Sequence, residues 1–387
     1  MVNFAHFADV HLGGWRQGPM QDLNFMAFQK VIETCIERKV DFVLIAGDLF
    51  DSAYPPIETL KETFAEFKKL KEAKIPVFII AGSHDYSVSG KTFLDVLEKA
   101  GFCRNVFDAE FKEDVIILSP TIHEGVAIYG YPGKKSGLEV SDIKKLKLNE
   151  APGMFKILML HTTMDKVRGV LPIECVEADS LPEANYYALG HIHVDFRYKN
   201  LVYPGPVFPN NFSELETVET GSFYIIDTEL GDPFEKIEIK IKDILSIEFE
   251  IKNALTATQE ILNELGKKNL KDKLVLLRVS GELGNQKTSD INFEKIENFC
   301  FENGAYFFLK NTHDLKTSEV HLDIEIKNKE NLEEEALKKY SSENPSKFNK
   351  FIPQLMGTLS IEKQEGETID SFNARLLEES KKILDIE

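Results

Sequence analysis

The sequence predicts a mixed α/β protein, and three observations carry that expectation. Short apolar runs alternate with helical patterns up to about Asp227. The early apolar runs end abruptly on glycine, aspartate, serine or histidine. The chain has 387 residues, enough for about two or three domains.

The elements follow in order. Strands are expected at Val2 to Ala8, Phe42 to Ala46, Val77 to Ala81, Val115 to Leu118, Val126 to Tyr129, Ile157 to Leu160, Tyr186 to Leu189 and Phe223 to Asp227. These are short runs of apolar residues bounded by turn formers. Helices are expected at about Asp22 to Lys39, Ile57 to Ala73 and Lys91 to Ala100. Strand–helix–strand order argues for parallel pairing. The later strands follow one another with little helix between them, so the sheets should be mixed. Gly231-Asp232-Pro233 is a turn signal and the expected end of a first domain, residues 1–231. A compact α/β unit should follow over 232–326, with strands at Ile244 to Ile251, Leu274 to Val279 and Tyr306 to Leu309, and helices at Ala254 to Lys267 and Phe293 to Glu302. Residues 327–346 turn polar and charged and read as a linker. Residues 347–387 carry two amphipathic stripes. The first is Phe348, Phe351, Ile352, Leu355 and Met356, with Gly357 as its expected stop. The second is Ile369, Phe372, Leu376, Leu377, Ile383 and Leu384.

The composition bounds the function. Hydrophobic residues make up 43% and charged residues 28%, as in an ordinary globular protein. No apolar run has the length of a bilayer span, and the N-terminal stretch MVNFAHFADV lacks signal-peptide character. Cys35, Cys103, Cys175 and Cys300 form no C-x-x-C pair, so small buried side chains in a reducing cytoplasm are expected. The net charge of −18 opposes nucleic acid binding by bulk charge. A DNA-binding role would need a local basic patch, bound cations or a partner.

The polar strand ends carry the chemistry. Asp9 and His11 follow the first strand, and Asp48 and Asp51 follow the second. Ser83, His84 and Asp85 follow the third, His161 follows a later one, and His191 and His193 follow the next. In α/β sheets, ligands gather beyond the carboxyl ends of the strands. In an extended chain residues i and i+2 point the same way, so Asp9 with His11 and His191 with His193 can each aim at one place. Such a set suits one ion or a pair, with Asp48 as a bridge. Nitrogen and oxygen donors without thiolates fit manganese, iron, zinc or magnesium. His6, His123, His313 and His321 lack such company and are expected to be structural.

In its order of D-x-H, G-D-x-x-D, G-S-H-D, a lone H and G-H-x-H, the sequence resembles the calcineurin-like metallophosphoesterase superfamily. FADVHLG, IAGDLFD, and YALGHIH followed by YPGP are similar to the Mre-eleven/SbcD family of DNA double-strand-break repair nucleases. The resemblance implies an α/β (α+β) fold: a metallophosphoesterase β-sandwich core flanked by helices, a small capping domain that binds DNA, and C-terminal helices that hold a Rad-fifty/SbcC-type coiled-coil ATPase. It implies two manganese ions per subunit, one on Asp9, His11, Asp48 and His193, the other on Asp48, Ser83, His161 and His191. The family has asparagine where this chain has Ser83, which implies a weaker second site. The implied reaction is hydroxide attack on a DNA phosphodiester, with His84 as general acid or transition-state stabiliser and Asp51 as its paired carboxylate. Arg16, Lys91, Lys134 and Lys135 are candidate DNA contacts. A homodimer is implied through the helices of Leu60, Phe64, Leu94 and Leu97. The implied role is a duplex exonuclease and single-strand endonuclease, cytoplasmic and nucleoid-associated. The alternatives are another two-metal phosphodiesterase or phosphatase, and a scaffolding repair subunit.

Overall fold

A run such as FVLIA at Phe42–Ala46 has no polar face, so its strand must be covered on both sides. The architecture supplies that cover with two face-to-face sheets and an outer layer of helices. In the computed structural model, the described residues are 2–87, 92–168, 174–230, 232–284, 286–316, 341–342, 346, 348–361 and 369–384. The chain forms two units, Met1–Thr317 and Ser318–Glu387.

In the first unit the order begins β1 (Asn3–Phe7), α1 (Gly18–Glu37), β2 (Phe42–Ala46), α2 (Ile57–Glu72), β3 (Val77–Ile80), α3 (Phe93–Lys99) and β4 (Arg104–Asn105). It continues β5 (Ala109–Lys112), β6 (Val115–Leu118), β7 (Thr121–His123), β8 (Val126–Tyr131), α4 (Glu139–Ile143), β9 (Leu146–Leu148), β10 (Phe155–His161), α5 (Asp165–Arg168) and β11 (Tyr186–Gly190). Then come β12 (Asp195–Tyr198), β13 (Leu201–Pro204), α6 (Phe212–Thr217), β14 (Gly221–Asp227) and β15 (Phe234–Ile239). The last are β16 (Asp243–Glu250), α7 (Ala254–Leu265), β17 (Lys273–Glu282), α8 (Phe293–Glu302) and β18 (Phe307–Lys316).

The first sheet has the order β15-β14-β1-β2-β3-β4 and the second β12-β13-β11-β10-β8-β7. In the first, β1 to β4 run parallel, and β14 pairs antiparallel with β1. In the second, β8, β10, β11 and β13 run parallel. Strand alternation divides the apolar residues between two layers. Phe4, Phe42, Leu44, Phe78 and Ile80 meet Val126, Ile128, Ile157, Met159 and Ala188 between the sheets. Ala5, Phe7, Val43, Ile45 and Ile79 face the helices. α1 answers with Met20, Leu23, Ala27, Phe28, Val31, Ile32 and Cys35, one apolar stripe at helical spacing.

The third sheet, β16-β17-β18, is parallel. One face packs under α7 and α8 through Val275, Leu277, Ile261 and Ile296. Leu274 and Leu276 on the other face join the core that surrounds α1.

Four sequence expectations need correction. The turn at Gly231-Asp232-Pro233 does not end the first sheet: the chain returns as β15, which pairs antiparallel with β14. A turn signal marks a reversal, and a hairpin satisfies it as well as a domain boundary does. Leu60, Leu94 and Leu97 are buried in their own unit, and Phe64 packs on the same core. They are core residues; the exposed apolar side chains of these helices are Ile57 and Val96. In the second unit, α9 (Ile352–Leu359) runs through Gly357 rather than stopping there, and Ser360 caps it. The residues before and after Gly357 keep helical spacing, so the missing Cβ costs only about 1 kcal/mol there. The fourth correction concerns the backbone of the site. The second unit also holds α10 (Ile369–Leu384). The linker assigned to 327–346 falls almost wholly outside the described residues.

Candidate metal centre

The loops that follow β1, β2, β3, β10 and β11 lie together at one edge of the two sheets. Backbone bonds lace the first to the second: the amides of Val10 and His11 donate to the Asp48 carbonyl at 2.9 and 3.0 Å, and Leu12 donates to Leu49 at 3.0 Å. The buried Asp85 carboxylate ties the second loop to the third, accepting from the amides of Leu49, Phe50 and Gly82 at 3.0–3.1 Å. Burial, with Asp48 nearby, pushes its pKa up to about 6 against those three bonds. The glycines at these strand ends have a steric cause. A Cβ on Gly82 would sit 2.2 Å from Asp48 Oδ1, and one on Gly47 would sit 2.3 Å from His161 Nδ1.

The i, i+2 argument assumed the wrong backbone. Asp9, His11, Asp48 and His191 have φ of 53°, 48°, 52° and 96°, left-handed rather than extended. Each such residue costs on the order of 1–3 kcal/mol and persists because its surroundings hold it. The sharp turns split the His191/His193 pair: the His191 ring packs on His161 at 5.1 Å, while His193 packs on His11 at 4.8 Å. The His191 amide donates to Asp9 at 3.0 Å, and burial lowers the His191 imidazole to about 4, keeping it neutral.

Three overlapping groups have ligand atoms within 4.8 Å of one another: Asp9, His11 and His193; His11, Asp48 and His84; Asp9, Asp48 and His161. Asp48 joins two of the three. Its Oδ2 lies 3.1 Å from His161 Nε2, 3.7 Å from His11 Nε2 and 3.3 Å from the Ser83 hydroxyl, which donates to it. Burial alone would raise the Asp48 pKa, but His161 and His11 outweigh it and hold the carboxyl well below the usual range. For His161 burial lowers the pKa, Asp48 outweighs it, and the imidazole is pushed up to about 10.

The residues present fit bound cations, and the imidazoles say so most directly. His161 Nδ1 donates to the Ala46 carbonyl at 2.9 Å, which turns its buried Nε2 inward, 3.1 Å from Asp48 Oδ2. His11 Nδ1 faces Asp51 Oδ1 at 3.1 Å, and His193 Nδ1 faces Glu214 Oε1 at 2.9 Å. Carboxylates only accept, so both Nδ1 atoms carry protons and both Nε2 atoms aim inward. The two Nε2 atoms stand 3.0 Å apart. Two lone pairs cannot share that spacing without a proton or a cation between them. Asp9, His11, Asp48, His161 and His193 could together hold two metal ions.

His84 stands at the open side, 46% exposed. Its Nδ1 donates to the Asp51 carbonyl at 3.0 Å and lies 3.4 Å from Asp51 Oδ1. Asp51 thus serves His84 and His11 together. Its hydrogen bond pushes the His84 pKa up to about 9, against partial burial. In metal-free protein His84 is therefore expected to titrate near 9, and Asp51→Asn to return it toward about 6.5, read from imidazole proton shifts against pH. The raised pKa adds stability below about 6.5 that is lost as the pH rises through about 9. Titration near 6.5 in both proteins would contradict the pairing.

The other sequence candidates are placed as follows. Arg16 is exposed beside the buried Trp15, and Lys135 is exposed after β8. Lys134 is matched by Asp142 at 2.5 Å. Lys91 lies outside the described residues, as does His321. His6 is buried with Nδ1 2.8 Å from the Tyr186 hydroxyl, and burial lowers it to about 3. His123 packs on Phe42 and Phe78, and His313 is 92% exposed. Burial pushes Cys35, Cys103 and Cys300 up to about 12, as inert side chains require. Sequence reasoning missed Glu214 and Asn210, and gave Asp85 no role. Asn210 reaches Asp51 Oδ1 at 3.4 Å from the loop after YPGP, and Glu214 sits on α6. The proximity of YPGP-VFPNN to the H-x-H motif was the one signal available.

Residues 2–195 match the calcineurin-like phosphoesterase family. The chain is 31% identical over 271 residues to the DNA double-strand break repair protein Mre11 of Methanocaldococcus jannaschii, covering 65% of this chain and 70% of that one. It is 28% identical over 328 residues to the Mre11 of Archaeoglobus fulgidus, covering 76% of this chain and 72% of that one. It is also 28% identical over 249 residues to the uncharacterized metallophosphoesterase YhaO of Bacillus subtilis, covering 60% and 58%. The chain belongs to the calcineurin-like phosphoesterases and, within them, to the Mre11 family of DNA double-strand-break repair proteins.

Proposed function

We propose that this chain is the manganese-dependent nuclease subunit of a DNA double-strand-break repair complex, degrading duplex DNA from its ends and cutting single strands. The observation that carries the reading is the convergence of inward-aimed imidazole nitrogens on Asp48, with the buried His161 Nε2 3.1 Å from its Oδ2 and His11 Nε2 3.7 Å from it. In this reading Asp9, His11, Asp48 and His193 hold one ion, and Asp48, Ser83, His161 and His191 the other. When bound, the cations neutralise a phosphodiester and acidify a water. The chain's own groups do the rest. Ala46, Asp51 and Glu214 fix which imidazole nitrogen faces inward. His84 has its Nδ1 occupied by Asp51, so its Nε2 edge is left to protonate the departing sugar oxygen.

The net charge of −18 requires the grip on DNA to be local. Arg16 and Lys135 are the exposed candidates near the strand ends, and the β16–β18 sheet with α7 and α8 is the proposed capping unit. The α9 and α10 unit is the proposed dock for a Rad50/SbcC-type ATPase; Met356, Leu359 and Leu377 are 43–64% exposed on it. Homodimerisation is proposed through the exposed side of α2 and α3, where Ile57 is 80% exposed. The reading sets the protein in the cytoplasm, at the nucleoid.

Manganese-dependent release of nucleotides from duplex DNA, compared with hydrolysis of a small aryl phosphodiester, tests the proposal. Cleavage of DNA supports it. Hydrolysis of the aryl ester alone favours a different phosphodiesterase, a reading that the similarity to YhaO keeps in view. Bound ions with neither activity would favour a scaffold.

Ser83 offers a neutral hydroxyl that already donates to Asp48. Ser83→Asn is expected to lower the manganese concentration for half-maximal activity by about tenfold, because an amide carbonyl reaches further and binds cations better. Identical half-saturation in the two proteins would refute the weak second site.

A further inference from the structure

α6 has six residues, far fewer than the roughly 12–15 an isolated helix needs, so its neighbours must hold it in place. One side of it serves the metal centre. Glu214 Oε1 accepts from His193 Nδ1 at 2.9 Å, and Glu214 Oε2 accepts from the Asn210 amide at 2.8 Å. Asn211 caps the helix and also donates to Glu214. The other side is gripped from the third sheet. Arg278 on β17 donates to both Glu216 carboxylate oxygens, at 2.5–3.1 Å, and to the Ser213 hydroxyl at 3.4 Å. Its guanidinium lies 5.4 Å from the Phe212 ring centre, and Asp314 on β18 holds its remaining edge at 3.1 Å. The Arg278 and Glu216 side chains are only 23% and 12% exposed, so this fork is better shielded than an ordinary surface ion pair.

We propose that α6 couples the third sheet to the metal centre: Glu214 is a positioning residue that orients His193, and Arg278 acts through the helix to hold Glu214 in place. A carboxylate behind a ligating imidazole fixes its tautomer and direction, and its loss usually lowers metal affinity about 10–100-fold. Arg278 is one step further away, so its share should be smaller. The inference rests on the two-metal reading.

Manganese binding to the full chain, measured by calorimetry without DNA, tests it. Glu214→Ala should weaken one of the two ions by about 10–100-fold, and Glu214→Gln, whose amide oxygen still accepts from Nδ1, should recover much of that. Arg278→Ala should weaken the same ion by about 2- to 30-fold. Arg278→Lys should not restore it, since an ammonium cannot make the fork. Arg38→Ala, which removes a half-exposed ion pair with Glu235, is the control and should bind as wild type. In nitrogen-15 spectra of metal-free protein, Glu214→Ala should release the His193 tautomer. Wild-type affinity for both ions in Glu214→Ala would overturn the positioning role. Weakening by Glu214→Ala with none by Arg278→Ala would overturn the coupling. If wild type takes up no manganese, the two-metal reading falls and this inference falls with it.

Discussion

Asp48→Asn is expected to lower metal-dependent phosphodiester cleavage by about 10³-fold or more, with the chain still folded. Asparagine is the informative replacement. Asp48 has a left-handed backbone, φ 52°, which asparagine tolerates better than alanine. The amide oxygen can keep the 2.8 Å bond from the His84 amide. The new NH2 can donate to a neutral His161 Nε2, 3.1 Å away, so the buried nitrogen keeps a partner. What is lost is the negative charge between His11 and His161, and an N–H now occupies the direction from which a cation would be held. Calorimetry should show weakened manganese uptake, circular dichroism a thermal transition near that of wild type, and the DNA assay almost no product. Two ions bound at wild-type affinity, or cleavage within about tenfold of wild type, would contradict the bridging role.

His84→Ala should give the second large loss, about 10²–10⁴-fold in cleavage, with manganese uptake intact. The two readouts separate because of where His84 makes its contacts. Its backbone amide, which alanine keeps, is the part that orients Asp48 Oδ1. Its ring is tied to Asp51 and half exposed. Removing the ring takes away a proton donor and leaves the buried donor set in place. Asp51 retains His11, at 3.1 Å, as its partner. Loss of an ion in His84→Ala would show the ring to be a ligand instead, since its nitrogen also lies within 4.8 Å of ligand atoms on His11 and Asp48.

Much of this was legible in the sequence because two physical signals coincide at the strand ends. Short continuous apolar runs such as VLIA and VFII, bounded by turn formers, read as buried strands, and a glycine followed by polar residues after them marks a place where chains crowd and polarity is needed. Asp48, Ser83, His84, His191 and His193 follow such a glycine, whereas Asp9, His11 and His161 follow their strands directly. Glu214 satisfies neither: FSELET reads as any solvent-facing turn of helix, and its role exists only because α6 lies against His193. Asp85 was visible beside the motif, but its task of pinning three amides is a tertiary fact. β12 and β13 were missed because DFRY mixes charge with aromatic residues and LVYP ends on proline, so neither reads as an apolar run bounded by turn formers. Leu60, Leu94 and Leu97 show the reverse limit. Helical spacing of apolar residues says that a face is covered, but not whether the cover is the chain's own core or another molecule.

The central claim is that loops spread from Asp9 to His193 enclose a pair of cations, and a manganese-soaked crystal tests it most directly. The account predicts two anomalous-scattering peaks about 3.5–4 Å apart, on either side of Asp48, with His161 and His193 on different ions. A single peak remote from Asp48, or none while the imidazoles keep the contacts described above, would contradict it.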